Sequence, residues 1–248
     1  MTSRSPRARR ATSVAAAVAV VAATLAAGCS TPPDHYHTLR PAGIAAPSAQ
    51  HAAPLLLAVG PVSVPDSLAR NEWVIRTGDT GAMVYDHQLW TQDLSADVAQ
   101  ALVDYLNRSP LPGGLWADAG PTGSGSGADL DQPPTLRVRV QVLRFDSVLS
   151  PSPAVSDQVR WTLECVPSDP RLSPVDAGHY RVVRTAVRDV NALATGAGLL
   201  AIVDEGERRY EALARAHSDG VHAVADDIAA ALRDSAADRA RDCQPGNR

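Results

Sequence analysis

The stretch "TLRVRVQV" at residues 135–142 constrains the fold more than any other segment. Leu136, Val138, Val140 and Val142 alternate with Thr135, Arg137, Arg139 and Gln141. Successive side chains on a strand point to opposite faces, so this is a strand with one dry face and one wet face. The phase slips at Leu143–Arg144–Phe145, which predicts a bulge. Two more strands are predicted downstream: "QVRWTLEC" (158–165), where Val159, Trp161, Leu163 and Cys165 share a face, and "GHYRVVRTAV" (178–187). A sheet with one apolar face needs something to cover it.

Two helical stripes can supply that cover. In 91–110, Leu94, Val98, Ala101, Leu102, Tyr105 and Leu106 recur at helical spacing, with Asp93 or Ser95 as the starting cap and Pro110 as the stop. Near the C-terminus, Tyr210, Leu213, Ala214, His217, Val221, Val224, Ala225, Ile228 and Leu232 hold one stripe through Gly220. Upstream, "LLLAVGPVSV" (55–64) reads as a buried strand in which Pro61 marks an edge or a bulge. "EWVIRT" (72–77) and "AMVYD" (82–86) flank the turn "GDTG" as a hairpin, and 121–134 reads as a flexible loop. Only 4% of residues are aromatic, so the core must rely on Ala, Val and Leu. The expected fold class is α+β: a mixed or antiparallel sheet covered on one face by two main helices.

The first 28 residues follow another pattern. Arg4, Arg7, Arg9 and Arg10 precede an uncharged run at 11–28 that ends in small residues before Cys29. This is the layout of an export signal; a retained membrane helix is the alternative. The segment resembles a bacterial lipoprotein signal, which implies cleavage after Gly28 and diacylglycerol on the Cys29 thiol. Two or three acyl chains on one residue hold a protein on a membrane stably. Ser30 after the cysteine points to the outer membrane in a two-membrane envelope. Removing 1–28 leaves 19 basic and 27 acidic residues, a net charge of −8, which gives no electrostatic reason to bind nucleic acid. The expected organisation is a signal peptide (1–28), a lipidated N-terminus and flexible tether (29–54), one α+β domain (55–235) and a tail (236–248).

A family pattern then becomes visible. A Tyr36–Leu39 element precedes a Val-Gly-Pro-Val strand (Val59–Val62), a "Val-Pro-x-x-Leu-x-Arg" step (Val64, Pro65, Leu68, Arg70), an apolar residue leading to an Arg (Val74 to Arg76) and Trp90 before the first helix. This resembles the ABC-type transport auxiliary lipoproteins, the PqiC/YmbA-like family. The resemblance implies a non-enzymatic subunit facing the periplasm from a lipid anchor. Its partners would be an MCE-domain protein and an ABC permease and ATPase that move lipid and maintain membrane integrity; self-association is a further option. It implies no cofactor.

The residues also bear on chemistry independently of that resemblance. Gly-x-Ser-x-Gly and His-Glu-x-x-His are absent, and a chain without lysine cannot carry the phosphate-binding Gly-x-x-x-x-Gly-Lys motif. His35, His37 and His51 could meet on a metal, or stand solvated in the tether. His217 lies on an apolar stripe, as a core histidine would. Cys165 and Cys243 could bridge, closing a loop of roughly 80 residues, or Cys165 could lie buried beside Trp161. Arg137, Arg139, Arg160, Arg181 and Arg184 would form a basic sheet face or pair with acids such as Glu164. An envelope hydrolase and a solute- or lipid-binding lipoprotein are the rival readings. The first needs a nucleophile and base in a pocket; the second needs an apolar cavity.

Overall fold

The alternating segment at 135–142 opens the strand at which the described sheet branches. The computed structural model describes residues 32–40, 55–108, 110–119, 136–165, 181–193 and 205–235. Within them lie strands β1 (His35–His37), β2 (Leu55–Ser63), β3 (Glu72–Arg76), β4 (Ala82–Trp90), β5 (Leu115–Ala119), β6 (Leu136–Val148), β7 (Ala154–Cys165) and β8 (Arg181–Leu193). The helices are α1 (Leu94–Leu106) and α2 (Glu205–Asp234).

All eight strands form one sheet that forks at β6. One side of β6 is taken by β7 along its length, antiparallel, and β8 continues that meander. The other side is shared. β2 runs parallel to the first half of β6, from Leu57 opposite Leu136 to Ser63 opposite Gln141. β3 runs parallel to its last residues, with Ile75 opposite Ser147 and Arg76 opposite Val148. β5 extends the first branch; β4 and β1 extend the second. The sheet is therefore mixed, and with both helices it makes the α+β fold expected from the sequence.

Two irregularities mark where the fork opens. β6 shifts register between Val142 and Arg144, the predicted bulge. β2 shifts between Val59 and Val62. Pro61 has no N–H to give the ladder, and Gly60 adopts φ +130, which side chains disfavour. Pro61 thus sits at a bulge in a strand paired on both sides, not at an edge.

The alternation sorts the faces. Leu136, Val138, Val140 and Val142 are buried, as are Phe145 and Ser147 beyond the bulge, while Arg139 and Gln141 face solvent. Val155, Asp157, Val159, Trp161 and Leu163 of β7 point to the same covered side. Both helical stripes named from the sequence are buried throughout. Asp93 occupies the N-cap of α1 without a side-chain capping bond. At the other end, Asn107 reaches β5: its Nδ2–H donates to the Ala117 carbonyl at 2.7 Å, and the Ala117 N–H donates to its Oδ1 at 2.9 Å. The side chain thereby completes a strand edge, and it fixes β5, which the sequence did not reveal.

The largest difference from expectation is at the N-terminus. Residues 29–54 read as a tether and the domain as starting near Leu55, yet the compact unit begins at His35. β1 pairs parallel with β4, and the Thr91 N–H donates to the His37 carbonyl at 2.9 Å. Leu39 is fully buried. Asp97 of α1 accepts from the Thr38 hydroxyl at 2.9 Å and the Leu39 N–H at 2.8 Å. One turn-pair further along the same helix, Asp104 accepts from Arg40 Nε at 2.6 Å. Ser218 of α2 donates to the Leu39 carbonyl at 2.7 Å. The segment is too short to show a period, and its partners are carboxylates set seven residues apart on one helix face. Residues 41–54, the 121–134 loop, the leader with Gly28 and Cys29, and the 236–248 tail with Cys243 lie outside the described residues.

Candidate functional site

The chemically richest cluster is buried where α2 crosses β6 and β7. Apolar periodicity puts His217 on the inner stripe of α2, and there its ring stacks on Phe145 with centroids 3.8 Å apart and planes 14° off parallel. Trp73 and Trp90 close the remaining sides, at 6.2 and 6.4 Å. His217 Nδ1 lies 2.8 Å from Asp157 Oδ2, and Nε2 lies 2.7 Å from Ser147 Oγ. Trp73 Nε1–H donates to the same Oγ at 2.9 Å.

The donor directions follow from the inventory of each group. An ionised Asp157 only accepts, so Nδ1 carries the proton; neutral imidazole then accepts at Nε2, and the Ser147 hydroxyl donates to it. Every link of Trp73–Ser147–His217–Asp157 is thus matched. Burial pushes the Asp157 carboxyl above the usual carboxylate range, opposed by the attraction and hydrogen bond of His217. Its Oδ1 has no hydrogen-bond partner among the described residues. Gly220, one turn beyond His217, permits the approach: a Cβ there would stand 3.2 Å from Asp157 Oδ2 and 3.3 Å from Val190 Cγ1.

Serine, imidazole and carboxylate in this order are the groups of a hydrolytic triad. Here they are sealed. Ser147 and His217 are 0% exposed and Asp157 is 4%. The serine oxygen already accepts from an indole, and the imidazole face lies under a phenyl ring. No acyl carbon can reach Oγ while α2 stays in place. The arrangement joins three strands to α2, and His217 is the satisfied core histidine its position suggested.

The uncovered sheet face is equally committed. Arg139 pairs with Glu164 at 3.3 Å across β6 and β7, and Arg160 donates to Gln141 at 3.1 Å. Gln158 donates to Asp189 at 2.7 Å, and Thr162 meets Thr185 at 3.2 Å. Arg184 and Arg188 stand opposite Leu163 and Val159 on the covered side, where they reach Asp234 and Asp227 of α2 at 3.5 and 3.2 Å. The strand arginines therefore belong to cross-strand and sheet-to-helix pairs, and Arg137 is engaged as well. Of Arg181 only the backbone, at the start of β8, is described.

The other residues singled out from the sequence are dispersed. Pro65 opens a short 3-10 turn at Asp66–Leu68, with the Leu68 N–H donating to its carbonyl at 2.8 Å; Leu68 is half-buried against the core. Arg70 is exposed. Arg76 donates to the Gly78 and Asp79 carbonyls and braces the hairpin turn. Trp90 is buried against Trp73, 4.4 Å away, at the start of α1. His35 meets Glu207 at 3.0 Å and His37 meets Gln88 at 2.7 Å, so the two do not converge; His51 lies outside the described residues. Burial lowers the His37 pKa below the usual histidine value. Among the described residues no three metal-ligating side chains come together. Cys165 is disulfide-bonded to a partner outside the described residues. Ser147, Asp157, Asp97 and Asp104 were not foreseen. The available signal for the first two was a polar residue in the inward phase of a strand.

Comparison with known proteins assigns the class. The sequence matches the family described as "ABC-type transport auxiliary lipoprotein component" over residues 37–229. The chain belongs to this family. The match begins at His37, the last residue of β1, so it takes in the end of the N-terminal strap at residues 32–40. A crystal structure of an uncharacterized protein is similar with a TM-score of 0.51 and 22% identity, covering 79% of this chain and 99% of that one. A Xanthomonas campestris protein is similar with a TM-score of 0.52 and 14% identity, covering 73% and 87%. At these identities the likeness concerns the fold alone. No curated protein matches the chain. Among the described residues no helix is long and apolar enough to cross a membrane.

Proposed function

We propose that this auxiliary lipoprotein is a non-enzymatic accessory subunit of an MCE-type ABC system for lipid transport and membrane integrity. It is anchored through acylated Cys29 and faces the periplasm, with the outer membrane as its destination. Its partners are an MCE-domain protein and the permease and ATPase of the same system. The family match over nearly the whole domain carries this reading. The sealing of Ser147, His217 and Asp157 supports it against a hydrolase, because the three groups suited to catalysis are spent on holding α2. The signal pattern ending at Gly28–Cys29 supports the anchor. Two measurements test it. Affinity purification from solubilised envelopes recovers the MCE-domain protein and permease in stoichiometric amounts; recovery of neither refutes the assignment. Cys29→Ala moves the protein from the membrane to the soluble fraction; retention refutes the anchor.

A further inference from the structure

The strap shortens the reach of the anchor. Since the domain begins at His35, only six chain steps separate it from Cys29. Whatever path they take, they span at most about 20 Å. The lipid surface holding Cys29 must come within that distance of His35.

The topology then says which end of the domain lies nearest the leash. His35 pairs with Gln88 and contacts Glu207, near the start of α2. From there α2 runs to Asp234, which pairs with Arg184 near the opposite end of the sheet. That is about 40 Å along the axis at 1.5 Å per residue, twice the reach of the leash. β1 is parallel to β4, so the chain enters β1 from the side of the β3–β4 turn.

The sheet edge that runs from β1 along β4 to that turn exposes apolar side chains without a structural reason for them: Tyr36 opposite Leu89, and Met83 and Val84 six and five residues nearer the turn. Met83 and Val84 near the hairpin tip are 52% and 39% exposed, and Tyr36 of β1 is 62% exposed. Met83 and Val84 are consecutive and face opposite sides of the sheet. A surface strand ordinarily alternates apolar and polar, so a hairpin apolar on both faces is suited to surroundings apolar on both sides. Tyr36 has the amphipathic ring common at bilayer interfaces. The Gly78–Gly81 turn that joins β3 to β4 is polar, which suits the headgroup level and not deep insertion.

We propose that the sheet edge formed by β1 and by β4 up to the β3–β4 turn rests on the bilayer that holds Cys29, through Tyr36, Met83 and Val84, with the far end of α2 directed away from it. This deepens the anchor reading above and rests on it. The test uses the full-length lipidated protein in vesicles of phosphatidylethanolamine and phosphatidylglycerol. Benzoylphenylalanine is placed in turn at Tyr36, Met83 and Arg233. The expected lipid adduct yield is at least ten-fold higher at 36 and 83 than at 233, and inserting twenty Gly/Ser residues after Ser30 lowers it several-fold. Protein that floats with the vesicles but cross-links equally at 233, or is unaffected by the insertion, overturns the orientation and leaves the anchor intact. Protein that neither floats nor carries the diacylglyceryl mass overturns the anchor and the orientation together.

Discussion

Replacing His217 by Leu should be far more damaging than its loss of volume suggests. The substitution keeps an apolar side chain on the inner stripe of α2. It also strips Asp157 of its only hydrogen-bond donor among the described residues, with Oδ1 already unpartnered, and takes the acceptor from the Ser147 hydroxyl. Leaving a buried carboxylate without its partner costs about 3–5 kcal/mol, a large share of the roughly 5–15 kcal/mol that holds a domain folded. Asp157→Leu alone leaves a neutral imidazole N–H without an acceptor, about 1–3 kcal/mol. In the double variant both groups are gone and only the serine hydroxyl is stranded. The double variant should therefore be more stable than His217→Leu by about 2 kcal/mol, and the cycle should be strongly non-additive.

The pH dependence gives this prediction a second handle. Burial raises the folded-state pKa of Asp157. Between the ordinary carboxylate range and that raised value the native protein binds more protons than the unfolded one. Stability therefore falls as pH rises through that window. Losing His217 removes the attraction that opposes the shift, so the window extends upward. The cost of His217→Leu should be greater at pH 7.5 than at pH 4.5. Urea unfolding followed by circular dichroism, at both pH values and on all four corners of the cycle, measures it. Additive costs that do not change with pH would refute the idea that the buried chain of hydrogen bonds holds α2 to the sheet.

Asp97→Ala removes the acceptor for Thr38 and Leu39 and should cost about 2 kcal/mol, the scale of hydrogen bonds to a charged group. Because burial raises the Asp97 pKa, the same linkage makes wild-type stability fall as pH rises through its window, and the variant should lose that part of the slope. Limited proteolysis, read by mass spectrometry, should show new cuts within 32–40; an unchanged digest would mean the strap is held otherwise. The expected partner of Cys165 is Cys243, because the Arg184–Asp234 pair brings the end of α2 to the end of β7 where Cys165 lies. Cys243→Ser should then free the Cys165 thiol and cost about 4 kcal/mol, as closing a loop of this length implies; a bridge that survives this substitution would refute the pairing.

The parts of the fold legible in the sequence are those whose partner is the bulk apolar interior. β6 and β7 repeat their alternation often enough to fix both face and bulge, and the two helical stripes are long enough to exclude a strand. β1 and β5 are legible only through their partners. Three residues beside β4, or five beside β2, carry no period of their own, and what fixes them is a carboxylate on α1 or the amide of Asn107. The buried chain lies between these cases. Ser147 follows Phe145 in the inward phase of β6, and Asp157 precedes Val159 in that of β7. Each breaks an apolar alternation at one position, and His217 breaks an apolar stripe in the same way. One such break reads as tolerance at the edge of a core. Three breaks, with complementary donors and acceptors, on elements that must pack together are harder to reconcile with chance, since each alone would leave a buried polar group unpaired at about 1–3 kcal/mol. Polar residues in the wrong phase, taken as a set rather than singly, thus locate the centre of this core from the sequence. They do not for that reason locate a catalytic site: Ser147 and His217 spend their donors and acceptors on their neighbours, and the Asp157 carboxylate lies buried behind them.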